Sequence, residues 1–156
     1  MAQKKTKPFE IIVEMDADTN GEVETIDLSQ YVEVADMEAF GIMDIECGLN
    51  VEGTPANTFG NKLAVQVSLS DLSGGFISHG SYDSLYLSLQ DSDTGFTNTS
   101  LSLGDGEDIR YVPGGLIDVR TYCDASRSAF IRITGVVSKL SDKDYLSLVM
   151  TARGAQ

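Results

Sequence analysis

The chain has 156 residues, 42% of them hydrophobic, and a formal net charge of −13 from 24 acidic and 11 basic side chains. That length is most simply one domain, large enough to bury a core without staples. No apolar run approaches the roughly 20 residues of a membrane-spanning helix, and so acidic a body is a poor partner for phosphate backbones, which bind through Lys and Arg.

The charge is uneven. Residues 1–52 carry 13 acidic and 3 basic side chains, and those three, Lys4, Lys5 and Lys7, all precede Phe9. Residues 1–8 therefore read as a short basic arm and residues 9–156 as a single β-sandwich domain. The three lysines are followed by no apolar h-region, which a secretory signal would need.

Period-2 alternation then dominates, the pattern of strands with one face buried. Phe9, Ile11, Val13 and Met15 share a face of the first strand. A turn rich in Asp follows, and Val23 to Leu28 reads as the second strand. Ser29 to Phe40 is predicted as a short helix ended by Gly41. Met43, Ile45, Cys47, Leu49 and Val51 alternate with Asp44, Glu46, Gly48, Asn50 and Glu52. Leu63, Val65, Val67 and Leu69 alternate in the next strand. Leu85, Leu87 and Leu89 alternate with Ser84, Tyr86, Ser88 and Gln90. The polar stretch from Asp91 to Asp108, with Leu101 and Leu103 in it, has room for a short edge strand. Ile109 to Val112, Leu116 to Cys123 and Ala129 to Val137 are further strands. Ser141-Asp142-Lys143-Asp144 resembles a helix cap leading into Tyr145 to Ala152, with Asp at the place where a capping box prefers Glu or Gln. About eight strands separated by Gly, Ser, Asn and Asp clusters predict an antiparallel sandwich or barrel with one or two short helices.

Few residues spell out chemistry. Asp16, Asp18, Asn20 and Asp27, with Gly21 between them, have the spacing of a calcium loop, which gathers oxygens from alternate residues. The spacing resembles an EF-hand loop and, more closely, a dockerin loop, but a strand precedes it and the loop occurs once. The competing reading is a hairpin turn with Asn20-Gly21 at the bend. His79 is the only histidine, and no GxSxG elbow accompanies it. Cys47 and Cys123 lie far apart and form no CxxC pair, so buried free thiols are expected. Tyr82, Tyr86 and Tyr111 are candidate platforms for a sugar in a chain without tryptophan. Phe59, Phe76, Tyr82 and Phe96 are candidate loop anchors for a partner. No catalytic set, cofactor or resident metal is expected. A non-catalytic binding module, possibly calcium-dependent, is the alternative function.

The basic arm, the alternating strands, the Gly/Ser/Asp loops, the segment Ile26-Asp27-Leu28-Ser29-Gln30-Tyr31-Val32 and the segment Gly135-Val136-Val137-Ser138-Lys139-Leu140-Ser141 resemble single jelly-roll capsid proteins. The group concerned is that of tailless icosahedral viruses of bacteria and archaea, salt-loving hosts included. The resemblance implies a single jelly-roll-like antiparallel β-sandwich. It implies a structural virion protein, made in the host cytoplasm, that forms homo-oligomers and joins other capsid proteins as a shell or vertex subunit. It implies no enzyme activity, no sequence-specific nucleic-acid binding and no small-molecule substrate.

Overall fold

The computed structural model describes residues 3–4, 6–50, 61–91, 99–102 and 109–154. Among the described residues ten strands run in chain order: β1 Gln3–Lys4, β2 Phe9–Ala17, β3 Glu22–Asp27, β4 Glu38–Leu49, β5 Lys62–Ser68, β6 Ser84–Asp91, β7 Thr99–Ser102, β8 Arg110–Val112, β9 Leu116–Cys123 and β10 Arg127–Lys139. A helix, α1, follows over Asp142–Gly154. β7 is the edge strand expected in the polar stretch, while Val51, Phe59, Phe96 and Leu103 lie outside the described residues.

The strand pairs nest inside one another. β2 pairs with β10, β3 with β9, β4 with β7 and β8, and β5 with β6, all antiparallel. β10 also pairs with β4, and β9 with β5. One sheet thus has the column order β1 and β2, β10, β4, β7 and β8; the other runs β3, β9, β5, β6. β1 and β2 share a column because they bond to successive stretches of β10, and β7 and β8 share one beside β4. Ten strands therefore fill eight columns. The chain winds like a doubled ribbon whose paired strands go alternately to the two sheets, which is the wiring of a jelly roll.

The apolar positions meet between the sheets. Phe40, Ile42, Ile45, Cys47, Val65, Val67, Val112, Ile117, Val119, Ile131 and Ile133 are all buried in one cluster. Burying a side chain of this size contributes about 1.5–3 kcal/mol, so this shared interior is the main stabilising element. A bulge in β4 sets which residues reach it. Thr134 of β10 faces Asp44, but Gly135 faces Ile42, which leaves Met43 as the extra residue. Phe40 and Ile42 point inward before the bulge, and Ile45, Cys47 and Leu49 after it. The strand expected from Met43 onward thus begins earlier, at Glu38, and changes parity at Met43.

Three further expectations need correcting. Residues 29–40 form no continuous helix: two 3-10 turns, Leu28–Gln30 and Val34–Asp36, stand there instead. Leu28 and Val32 are buried anchors of this end of the sandwich, Met37 has a left-handed backbone (φ 57°), and Ala39 and Phe40 are drawn into β4 by pairing with Ser138 and Val137. Of the β6 leucines, Leu85 alone joins the core cluster. Tyr86 and Ser88 pair with Val67 and Val65 and turn inward, while Leu89 pairs with Ala64 and is 75% exposed. The Asp-rich turn is not a hairpin, because β2 and β3 belong to different sheets. It is a corner that carries the chain from one sheet to the other. The helix at the C-terminal side is as expected: Ser141 Oγ accepts the Asp144 N–H at 3.2 Å, and the Tyr145 N–H donates to the Ser141 carbonyl at 2.9 Å.

Candidate functional site

The corner at Asp16–Asp27 is built from side chains that serve the backbone. Asp18 Oδ1 accepts the N–H groups of Asn20 and Gly21 at 2.9 and 3.1 Å, an Asx turn that Gly21 completes with φ of 76°. Asp27 Oδ1 accepts the Ser29 N–H at 2.9 Å and caps the first 3-10 turn. β3 lies between the two. Its rise of about 3.3 Å per residue places Asp27 about 16 Å from Glu22, while calcium ligands sit about 2.3–2.6 Å from the ion. Asp18 and Asn20 thus belong to one turn and Asp27 to another, while Asp16 stands in β2. Among the described residues, no three His, Cys, Asp or Glu side chains converge on a metal position. The acids that do stay together repel: Asp18, by hydrogen bond and by charge, raises the Glu22 carboxyl above its ordinary value, Asp16 adds to this, and Arg120 opposes it. Millimolar calcium should leave the melting temperature unchanged in a thermal scan; a rise of several degrees would show a site that this geometry lacks.

Sequence reasoning gave no direct sign that the segment 69–83 between β5 and β6 packs on a sheet. It lies as a strap over the outer face of the second sheet. Gln66, fully buried, donates from Nε2 to the Ile77 carbonyl at 3.0 Å and accepts the Ile77 N–H at 2.9 Å. Asp118 Oδ2 accepts the Leu72 N–H at 2.9 Å, and its Oδ1 accepts the Thr25 hydroxyl at 2.8 Å. Arg120 donates to the Leu72 carbonyl at 2.8 Å, reaches the Asn20 carbonyl of the corner at 3.4 Å, and stands 5.6 Å from the Phe76 ring. Leu72 is fully buried under these contacts. The only signal was indirect: Gln66, Asp118 and Arg120 are polar residues at outward positions, where solvent is the usual partner.

His79 belongs to the same strap. It is exposed, and its Nδ1 lies 2.9 Å from Ser84 Oγ. Ser84 is buried and already accepts Gln66 Nε2 at 3.0 Å. The contact holds the strap closed and presents no free nucleophile. Cys47 and Cys123 are buried free thiols. Cys47 Sγ sits 3.4 Å from the Tyr86 hydroxyl across the core, and burial pushes both groups above their ordinary pKa values. Tyr86 is therefore a core residue and no sugar platform.

Tyr82 and Tyr111 do come together. They line a groove of about 390 Å³ with Leu140 and the α1 residues Asp144, Ser147, Leu148 and Thr151. Phe76 and Tyr82 are 40% and 38% exposed. Register places Glu10 beside Thr134 and Asp44, Ile12 beside Arg132 and Glu46, and Glu14 beside Phe130, on the outer face of the first sheet. Arg132 bridges Glu10 at 3.6 Å and Glu46 at 3.8 Å. Such exposed pairs contribute little to stability, so the face stays acidic. Large apolar side chains are also exposed on separate flanks: Ile12 on the first sheet, Leu89 on the second, Leu116 at the start of β9, and Leu146 and Met150 on α1.

The chain matches no protein-family model and no curated protein. Among solved structures it is similar to a chain described as "nora virus structure", at 7% identity with a TM-score of 0.44. The similarity covers 90% of this chain and 60% of that one, so the chain spans less than two thirds of this neighbour. Likeness at this level concerns outline alone and transfers no residue role.

Proposed function

We propose that the protein is a structural virion component, a jelly-roll capsid subunit of the shell or vertex of a tailless icosahedral virus, and not an enzyme. The observation that carries this reading is the eight-column jelly-roll wiring; the large apolar side chains exposed on several flanks are the places where neighbours would sit. Leu89, Met150, Leu116, Leu146 and Ile12 are each more than half exposed and lie on both sheets, a sheet end and the helix. A single dimer patch needs one such surface. A closed particle needs several, because each subunit meets neighbours on different sides. The net charge of −13 opposes these contacts at low ionic strength and is screened by salt. Assembly is therefore expected to strengthen as salt rises. Sedimentation velocity across a salt series tests this: discrete oligomers or shells that grow with salt support the reading, and a monomer at every condition contradicts it.

A further inference from the structure

We propose that the free edge of β6 pairs with the β6 edge of a second copy, antiparallel about a two-fold axis, and joins the second sheets of both copies into one. This rests on the assembly reading and names one of its contacts. An edge strand presents a row of backbone N–H and C=O groups, and another strand satisfies that row. Among the described residues β6 pairs with β5 alone, so its other side is such an edge.

Edge strands usually carry a device that keeps other chains away: charge, proline, a bulge or short length. The other edges here have one. β2 holds Glu10, Glu14 and Asp16, and β3 holds Glu22, Glu24 and Asp27. β1, β7 and β8 run for two, four and three residues. β6 has a bulge only at its start, where Val67 faces Tyr86, Ser68 faces Ser84, and Leu85 is left over. From Tyr86 to Gln90 it is regular and holds neither charge nor proline. Asp91, its last residue, lies beyond this stretch.

Charge selects a second copy as the occupant. In a two-fold pairing each edge meets itself. β2 or β3 paired in this way sets acid against acid in a protein of net charge −13, whereas the regular stretch of β6 brings no charge to the seam. That stretch is centred on Ser88. Pairing about Ser88 places Leu87 of each copy opposite Leu89 of the other, outer face beside outer face. Leu89 is 75% exposed and ends a row across the sheet, since Tyr122 and Leu89 both pair with Ala64. Lys62, Ala64, Leu89 and Tyr122 line a groove of about 420 Å³ on this face. The second copy's leucines extend the row across the seam and cover Leu89, an apolar cross-strand contact that also fixes register.

Sedimentation equilibrium and hydrogen exchange on the purified protein test the pairing. The parent should form dimers, and β6 amides should exchange more slowly as protein concentration rises. Leu89→Lys should weaken dimerisation about a hundredfold, because two leucines leave each interface and burial of one is worth at least about tenfold. Its melting temperature under dilute conditions should match the parent's, since residue 89 is exposed. Val34→Lys, at an exposed apolar position in the second 3-10 turn, is the control and should dimerise like the parent. Leu89→Glu should fail alone as Leu89→Lys does. An equal mixture of the two should recover dimers, because the two residues 89 stand diagonally across the seam, where opposite charges attract. The proposal is overturned by a parent that stays monomeric, by Leu89→Lys protein that dimerises like the parent, by β6 exchange that ignores concentration, or by a mixture no better than either variant alone. The assembly reading fails differently. Dimers that never grow larger with salt contradict a shell subunit and leave the β6 pairing standing, while shells formed equally well by Leu89→Lys protein do the reverse.

Discussion

Gly135→Ala should lower unfolding free energy by about 3 kcal/mol, at the upper end for overpacking in a tight interior. For a domain of this size that is a fall of about 6–12 °C in melting temperature. Gly135 pairs with Phe9 on one side and with Ile42, beside the β4 bulge, on the other. A Cβ there would land on Phe40 Cζ and stand 2.7 Å from the Gly41 carbonyl oxygen. Neither neighbour has room to yield. The carbonyl is backbone within a central strand, and the Phe40 ring is wedged by Phe9 and Tyr31, with centroids 5.8 and 6.3 Å away. Gly74→Ala is the control, since an added Cβ there meets nothing within 4 Å. In that open position the substitution should be neutral or slightly stabilising, because it restricts the unfolded chain. Urea unfolding of both variants decides the matter. A Gly135→Ala protein as stable as the parent would mean that the bulge and the aromatic cluster are not packed as described.

Gln66→Ala should cost about 2–4 kcal/mol, combining a cavity with unpaired polar groups. Its amide fixes both backbone groups of Ile77 and also bonds Ser84. Removing it frees the middle of the strap, so the loss should be local as well as global. Hydrogen exchange at the Ile77 amide should accelerate by more than the drop in global stability alone explains, and protease cutting within 69–83 should appear. Unchanged protection at Ile77 would show that the strap is held by other contacts. Asp118 and Arg120 still grip its Leu72 end in this variant, so the second half of the strap should loosen more than the first.

Much of the fold was legible because alternation is local. The expected strand Leu116 to Cys123 has the observed bounds, and Phe9, Ile11, Val13 and Met15 do turn toward the core. What alternation does not state is which face is inside. In β6 the leucines looked like the core face, yet only Leu85, at the register shift, joins the core; Tyr86 and Ser88 turn inward because Val67 and Val65 stand opposite them. The parity change at Met43 arises from register with Gly135, 92 positions away in the chain, and has no local mark. The Asp16–Gly21 segment signals a chain reversal, but β9 and β10 decide that it is a corner and not a hairpin. The predicted helix at 29–40 lost to β4, whose pairing claims its last residues. The strap was hidden because Gln66, buried by loop backbone, carries the same polar letter as a residue in water. Of the candidate residues, Tyr82 and Tyr111 were named from composition alone, and only the fold brought them to one groove beside α1.

Electron microscopy of the purified protein at moderate and high salt tests the central claim most directly. A jelly-roll subunit that assembles through several apolar flanks should give closed, symmetric oligomers or shells, more of them at high salt. Isolated particles of monomer size at high protein concentration in every salt condition would contradict a capsid role.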